Sequence, residues 1–394
     1  MSTLSSGARA GLYIHVPFCV AKCPYCDFSS YSGIEALYAP YVEALLQHIA
    51  SAGPEWPGPG FDTLYVGGGT PTVLSADRLA DVLSACKSGL GLPHDAEITC
   101  EANPGMVTGA SLAILAESGF NRLSLGAQSL DSGVLRTLGR IHDPEAVYGA
   151  FRAAREAGFA NIGLDLMYGI PWQTLEVWRD TLHRAVSLDP EHLSLYALTL
   201  EEGTPMAESV WSGVLPEPDE DHVADMYALA QAVLADAGYV QYEVSNWARR
   251  CAGDTPGAPP RLASRHNLHY WHNDRYLGIG SAAHSFDGRS RFARCTDPKE
   301  YVRRVHNGES TREFCEQIDE SLEMDETLML GLRLMSGVTW ARFQERFSID
   351  LRSVYPQALA GLSAAGMIEV DAEGVRMAPG AYLIGNRVFA EFLR

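Results

Sequence analysis

Cys19, Cys23 and Cys26 stand in the run Y-I-H-V-P-F-C-V-A-K-C-P-Y-C-D-F, a C-x3-C-x2-C spacing directly after a short strand-like segment. Three thiols are one short of closing a tetrahedral metal site. On a [4Fe-4S] cube, three thiolates would hold three irons and leave the fourth open to an exchangeable ligand, which suits reactive chemistry better than structural stapling. Zinc is the alternative, with His15 or Asp27 as a fourth ligand.

Further along, the turn G-G-G-T-P-T (67–72) contains Gly68, Gly69 and Thr70. Consecutive glycines let backbone approach a ligand closely and offer carbonyls to an ammonium group, although a triplet by itself is also an ordinary tight turn. Four polar residues follow: Glu101 in E-A-N-P, Gln128 in G-A-Q-S, Arg140 in G-R-I-H-D and Asp165 in G-L-D-L-M-Y-G-I-P. Taken singly, each could be a cap or a surface residue.

The elements that would position these groups are short apolar runs alternating with helix-period segments, the pattern of βα units around a parallel sheet. Six strands are expected, at 12–16, 62–66, 97–101, 122–126, 162–167 and 193–197. The helix after Asp143 illustrates the intervening segments: Asp143 can cap, Pro144 suits the first turn and Gly158 can close the far end. The fold class is therefore α/β, a partial (β/α)6 barrel whose strand C-termini form one rim. The cysteine segment, the glycine turn, Glu101, Gln128 and Asp165 all fall at or just beyond strand ends. C-A-G-D-T-P-G-A-P-P (251–260) reads as an exposed loop. The expected organisation is a core over 1–245, a linker segment over 246–290, and a C-terminal domain over 291–394 whose helices and final hairpin suggest a winged helix. That last part holds 13 basic and 16 acidic residues, which favours a lid or protein-facing role over DNA binding.

The whole chain of 394 residues carries 30 basic and 49 acidic side chains, a net charge of -19 that argues against a nucleic-acid surface and against anionic membranes. It lacks an apolar run of the roughly 20 residues a membrane span needs, and M-S-T-L-S-S-G-A-R-A has no signal-peptide core. A cytoplasmic location is expected, which also suits thiolates that hold iron. Cys86, Cys100, Cys251, Cys295 and Cys315 are scattered and read as small apolar residues.

The cysteine spacing after a first strand, followed one strand later by the glycine turn, resembles the radical-SAM superfamily. From about residue 11 onward the chain is similar to the oxygen-independent coproporphyrinogen dehydrogenases and their relatives, the radical-SAM heme chaperones. Y-I-H-V-P-F-C, G-G-G-T-P-T, G-F-N-R-L-S-L-G-A-Q-S and D-L-M-Y-G-I-P carry the likeness. It implies a [4Fe-4S] cluster on Cys19, Cys23 and Cys26, and S-adenosylmethionine contacted by Tyr13, Gly68, Gly69, Thr70, Glu101, Gln128, Arg140 and Asp165. The residue types match that nucleotide, since a carboxylate can accept two ribose hydroxyls and a guanidinium can grip the methionyl carboxylate.

Two departures separate the chain from the dehydrogenase branch. That branch has a further cysteine two positions after the third ligand, where Phe28 stands here, and a longer N-terminal extension than the dozen or so residues before the first strand. A third feature, R-H-N-L-H-Y-W (265–271), is similar to the H-N-x-x-Y-W motif associated with heme in the chaperone branch. An imidazole such as His266 can ligate heme iron, and Tyr270 and Trp271 offer flat apolar area. The alternative is that these aromatics pack at a domain interface where His266 only hydrogen-bonds. His269, His272 and His284 are further candidate ligands. The resemblance implies a heme b chaperone that delivers heme to apo-respiratory proteins, with homodimerisation and transient membrane contact left open. Radical-SAM decarboxylation of coproporphyrinogen III is the alternative activity.

Overall fold

In the computed structural model, which describes residues 9–393, the six alternating runs become parallel strands. They are β1 (Ala10–Val16), β2 (Phe61–Gly68), β3 (Glu97–Ala102), β4 (Arg122–Gln128), β5 (Ile162–Tyr168) and β6 (His192–Ala197). They lie side by side in chain order. Side chains alternate across each strand. One face, with Leu12, Ile14, Leu64, Val66, Leu123, Leu125, Leu164 and Leu193, is buried in the main core. The other turns Tyr65, Glu101, Ser124 and Asp165 toward the interior. Register brings Tyr13 beside Tyr65, Thr99 beside Arg122 and Asp165 beside Ser194. The helix Pro144–Glu156 starts as its sequence predicts. Asp143 accepts from the Ala146 N–H at 2.9 Å, a cap worth about 1 kcal/mol. Beyond its other end Gly158 takes a φ of 98°, which glycine adopts without strain.

The sheet extends past the six expected strands on both sides. Along the chain come β7 (Tyr239–Glu243), β8 (Asn246–Arg249), β9 (Tyr276–Ile279), β10 (His284–Phe286), β11 (Ser290–Arg294) and β12 (Arg312–Gln317). The order is β12-β11-β10-β9-β1-β2-β3-β4-β5-β6-β8-β7. The segment 246–290, expected as a linker, thus carries β8, β9 and β10, and the expected boundary at 291 falls inside β11. These strands are three to six residues long, most of them too short for alternation to register as a pattern. Only the 251–260 stretch behaves as the loop its composition predicts.

The C-terminal part has its own core, including Leu328, Phe343, Phe347, Leu359 and Val388. Helices Glu320–Gly331, Trp340–Phe347 and Pro356–Ala364 surround a small sheet of β13 (Val338–Thr339), β14 (Ile368–Val370) and β15 (Gly374–Met377), in the order β13-β15-β14. Helices followed by a hairpin give the winged-helix-like arrangement anticipated from sequence. It is joined to the barrel by backbone bonds from Val244 N–H to Arg333 O (3.2 Å) and from Met335 N–H to Tyr242 O (3.0 Å). Among the described residues no helix is long and apolar enough to cross a membrane. Residues 1–8, part of the stretch behind the location expectation, lie outside the described residues.

Candidate functional site

A cavity of about 500 Å³ opens at the C-terminal ends of the parallel strands, within the range that holds nucleotide-sized ligands. Cys19, Cys23 and Cys26 border it, together with Gly68, Gly69, Thr70, Glu101, Gln128, Arg140 and Asp165. The thiols sit on the loop after β1. Cys19 Sγ lies 3.7 Å from Thr70 Oγ1, and Arg140 Nη1 donates to Cys23 Sγ at 3.3 Å. The glycine turn is held against the same loop: Gly69 N–H donates to Val16 O (2.9 Å) and Thr70 N–H to Phe18 O (2.7 Å). A Cβ on Gly69 would meet Phe18 O at 2.5 Å and Cys19 Sγ at 3.0 Å, so only glycine fits.

The two carboxylates have different partners. Glu101 accepts from the Tyr65 hydroxyl at 2.7 Å and from Gly68 N–H at 3.2 Å. Burial outweighs those bonds and, with Asp165 nearby, pushes the Glu101 carboxyl up to about 7. Asp165 accepts from Ser124 Oγ at 3.1 Å and is likewise raised, chiefly by burial. Gln128 reaches the cavity from a left-handed backbone (φ 62°) beside an irregularity in the β4–β5 pairing. Arg140 Nη2 donates to Gly126 O at 3.0 Å, which fixes the guanidinium over the rim.

Three thiols on one loop, a glycine cradle and a neighbouring guanidinium are a donor set that fits a three-cysteine iron–sulfur cluster. Of the two fourth ligands considered for zinc, His15 is already engaged. His15 uses both ring nitrogens, on Tyr13 Oη (2.9 Å) and Ser29 O (2.9 Å). Among the described residues no group of three or more His, Cys, Asp or Glu side chains converges as a single-ion site.

Tyr13 sits behind the cavity wall. Its hydroxyl is tied to His15, and its ring stacks on Tyr65 at 6.3 Å without lining the cavity. Tyr65, stacked on it, lines the cavity. Sequence reasoning passed over Tyr65, Arg122, Ser124 and Tyr196, all on the wall. Their signal was period-2 spacing, since Tyr65, Ser124 and Tyr196 fall on the same strand face as their polar neighbours.

The H-N-x-x-Y-W segment forms the helix Arg265–Trp271, seated at the strand N-termini beneath the cavity. The Glu97 carboxylate accepts from the N–H groups of Arg265 (3.1 Å) and His266 (3.0 Å). His266 is 1 % exposed and stacks on Tyr65 at 5.2 Å. Its Nδ1 bonds Thr63 Oγ1 at 2.8 Å and its Nε2 bonds Tyr270 Oη at 3.0 Å. Both nitrogens are therefore engaged, the geometry of a hydrogen-bonded interface histidine, and burial lowers its basicity strongly. Trp271 carries the Arg333 guanidinium of the C-terminal domain 4.4 Å over its ring. His269 is buried between Asp62 (2.7 Å) and Asp274 (3.2 Å), whereas His284 is exposed on β10.

These features define a radical-SAM type of cavity, and comparison with known proteins agrees. The radical SAM superfamily model matches residues 13–185, and the HemN C-terminal domain model matches residues 319–384. The heme chaperone HemW of Bacillus subtilis is 35% identical over 97% of this chain and 98% of its own length. The mitochondrial radical S-adenosyl methionine domain-containing protein 1 of Mus musculus is 36% identical over 94% of this chain and 84% of its own. In fold, the chain resembles the solved coproporphyrinogen III oxidase (HemN) of Escherichia coli, a radical SAM enzyme, with a TM-score of 0.83, 24% identity, and coverage of 98% and 90% of the two chains. The chain belongs to the HemW family of radical SAM proteins.

Proposed function

We propose that this protein is a heme-binding chaperone that passes heme b to apo-respiratory proteins, with a [4Fe-4S] cluster on Cys19, Cys23 and Cys26 and S-adenosylmethionine beside it. The observation that carries the reading is the convergence of the three-thiol loop, the glycine turn, Glu101, Gln128, Arg140 and Asp165 on one cavity in a chain of the HemW family. A cluster held by those three thiolates would be able to supply an electron to the sulfonium of the nucleotide. The protein's own residues bind and orient. The buried Glu101 and Asp165 can accept from ribose hydroxyls, and Arg140 can pair with the methionyl carboxylate. Phe28, 62 % exposed at the mouth, adds apolar surface there in place of a fourth thiol.

For heme, His266 reaches iron only by giving up either Thr63 or Tyr270, and because its ring is buried this route requires the Arg265–Trp271 helix to move. The exposed His284 offers a ligand without that movement. The test uses anaerobically reconstituted protein. Heme is titrated by absorbance, and coproporphyrinogen, S-adenosylmethionine and reductant are then added with an assay for decarboxylated porphyrin. One heme per chain without decarboxylation supports the chaperone reading, and turnover of coproporphyrinogen overturns it. His266→Ala and His284→Ala, compared in heme affinity, assign the ligand.

A further inference from the structure

The floor of the cavity holds a buried guanidinium that is left with N–H groups free of hydrogen bonds among the described residues. Arg122 opens β4 and points inward. It is 2 % exposed yet borders the cavity, as does Asn267 of the floor helix. Its Nε and Nη1 have no hydrogen-bond partner among the described residues, and no carboxylate lies within ion-pair distance of it. Two more buried polar atoms of this layer are in the same condition. They are Oγ1 of Thr99, which pairs with Arg122 in register, and Nδ1 of His192, whose partner across the sheet is Gly163. Gly163 lies against two of these groups: a Cβ there would sit 3.4 Å from His192 Nδ1 and 3.7 Å from Arg122 Nη2.

A guanidinium is always charged, and burying one with unpaired donors is costly. The carboxylates facing this interior lie close enough to attract its charge but do not accept its N–H groups. Asp165 is turned to Ser124, and Glu101 to Tyr65 and Gly68. His192 spends Nε2 on Tyr242 at 2.8 Å, and His266 beneath is engaged at both nitrogens. What fits is an oxyanion from the cavity side, since a planar fork of N–H groups matches such a group in two parallel bonds. With Glu101 and Asp165 facing the same space, a monoanion is repelled less than a phosphate dianion.

We infer that Arg122 forms a carboxylate-binding subsite at the barrel floor, which takes the acid group of a second ligand lying deeper than the nucleotide. It is separate from Arg140 at the rim, and it rests on the proposed function only for where the nucleotide lies. The test is a titration of full-length reconstituted protein with 13C-labelled acetate, followed by NMR, with and without saturating S-adenosylmethionine, and a parallel titration with inorganic phosphate.

One saturable acetate per chain is expected, retained when the nucleotide is present, bound more tightly than phosphate, and weakened at least tenfold in Arg122→Met. Acetate should raise the melting temperature of wild type and leave that of Arg122→Met unchanged. Arg122→Lys, which keeps the charge and loses the fork, serves if the methionine variant does not fold, and should also bind several-fold more weakly. Absence of saturation, equal binding by the variants, tighter binding of phosphate, or mole-for-mole displacement by S-adenosylmethionine would overturn the subsite. Heme affinity measured on the same wild-type samples keeps the readings apart: loss of heme binding with acetate binding intact counts against the chaperone alone, and the reverse against the subsite alone.

Discussion

Cysteine spacing is the clearest residue-scale feature, and it yields a sharp expectation. Cys19→Ala, Cys23→Ala or Cys26→Ala should each abolish the cluster, while Cys251→Ala, on a distant loop, leaves iron and sulfide content at the wild-type value. The reverse pattern in iron and sulfide analysis would refute the ligand set. Glu101 gives a second prediction, from pH. Its carboxyl, ordinarily near 4.5, is raised to about 7 by burial. An acid raised in the folded state contributes stability below its unfolded value and loses it as pH rises through the folded one. Between pH 4.5 and 7 the ligand-free protein should therefore lose up to about 3 kcal/mol relative to Glu101→Gln, read from urea unfolding at a series of pH values. At this scale the sequence exposed the reactive types, but not that the Tyr13 hydroxyl bonds His15 two residues away.

Among the elements, the short helix Arg265–Trp271 matters most, because it plugs the strand N-termini under the cavity. His269 on this helix sits between Asp62 of β2 and Asp274 just after the helix. Burial opposes its protonation, but the two carboxylates prevail and raise it from 6.5 to about 9. A base raised in this way stabilises the fold fully below 6.5, and that contribution is lost as pH climbs through about 9. Wild type should fall by about 3 kcal/mol relative to His269→Gln between pH 6.5 and 9.5, with hydrogen exchange in the helix quickening over the same window. An unchanged difference across that window would mean that the ion pairs do not hold the plug. The motif was visible in the sequence, but its burial was not: seven residues with polar and aromatic types at helical spacing suit an exposed face as well as a plug.

In the molecule as a whole, the C-terminal domain grips this plug from outside. Arg342 pairs with Asp274 at 2.9 Å, and Arg346 donates to the carbonyls of His272 (3.1 Å) and Asn273 (2.7 Å) at the end of the helix. If heme is taken by His266, the domain resists uptake, since the helix cannot leave until those bonds break. Replacing both Arg342 and Arg346 by alanine should then speed heme association several-fold, measured by stopped-flow absorbance, with little change in cluster content. Equal rates would direct attention to the exposed His284. Such coupling between domains is invisible in composition, because both arginines read as ordinary solvated charges on an amphipathic helix.

The sequence by itself determined the six βα units, the C-terminal helices and hairpin, and the cavity rim. Strand alternation, helix caps and the C-x3-C-x2-C spacing are local signals, legible within a few residues of each other. Tertiary structure alone decided that β9 closes against β1 some 260 residues away, that Tyr65 lines the cavity wall, that His266 is buried, and that Arg122 borders the cavity with no hydrogen-bond partner on Nε or Nη1 among the described residues. Each of those depends on which distant side chains share one face of a curved sheet, and register between strands sets that face only after the chain has closed.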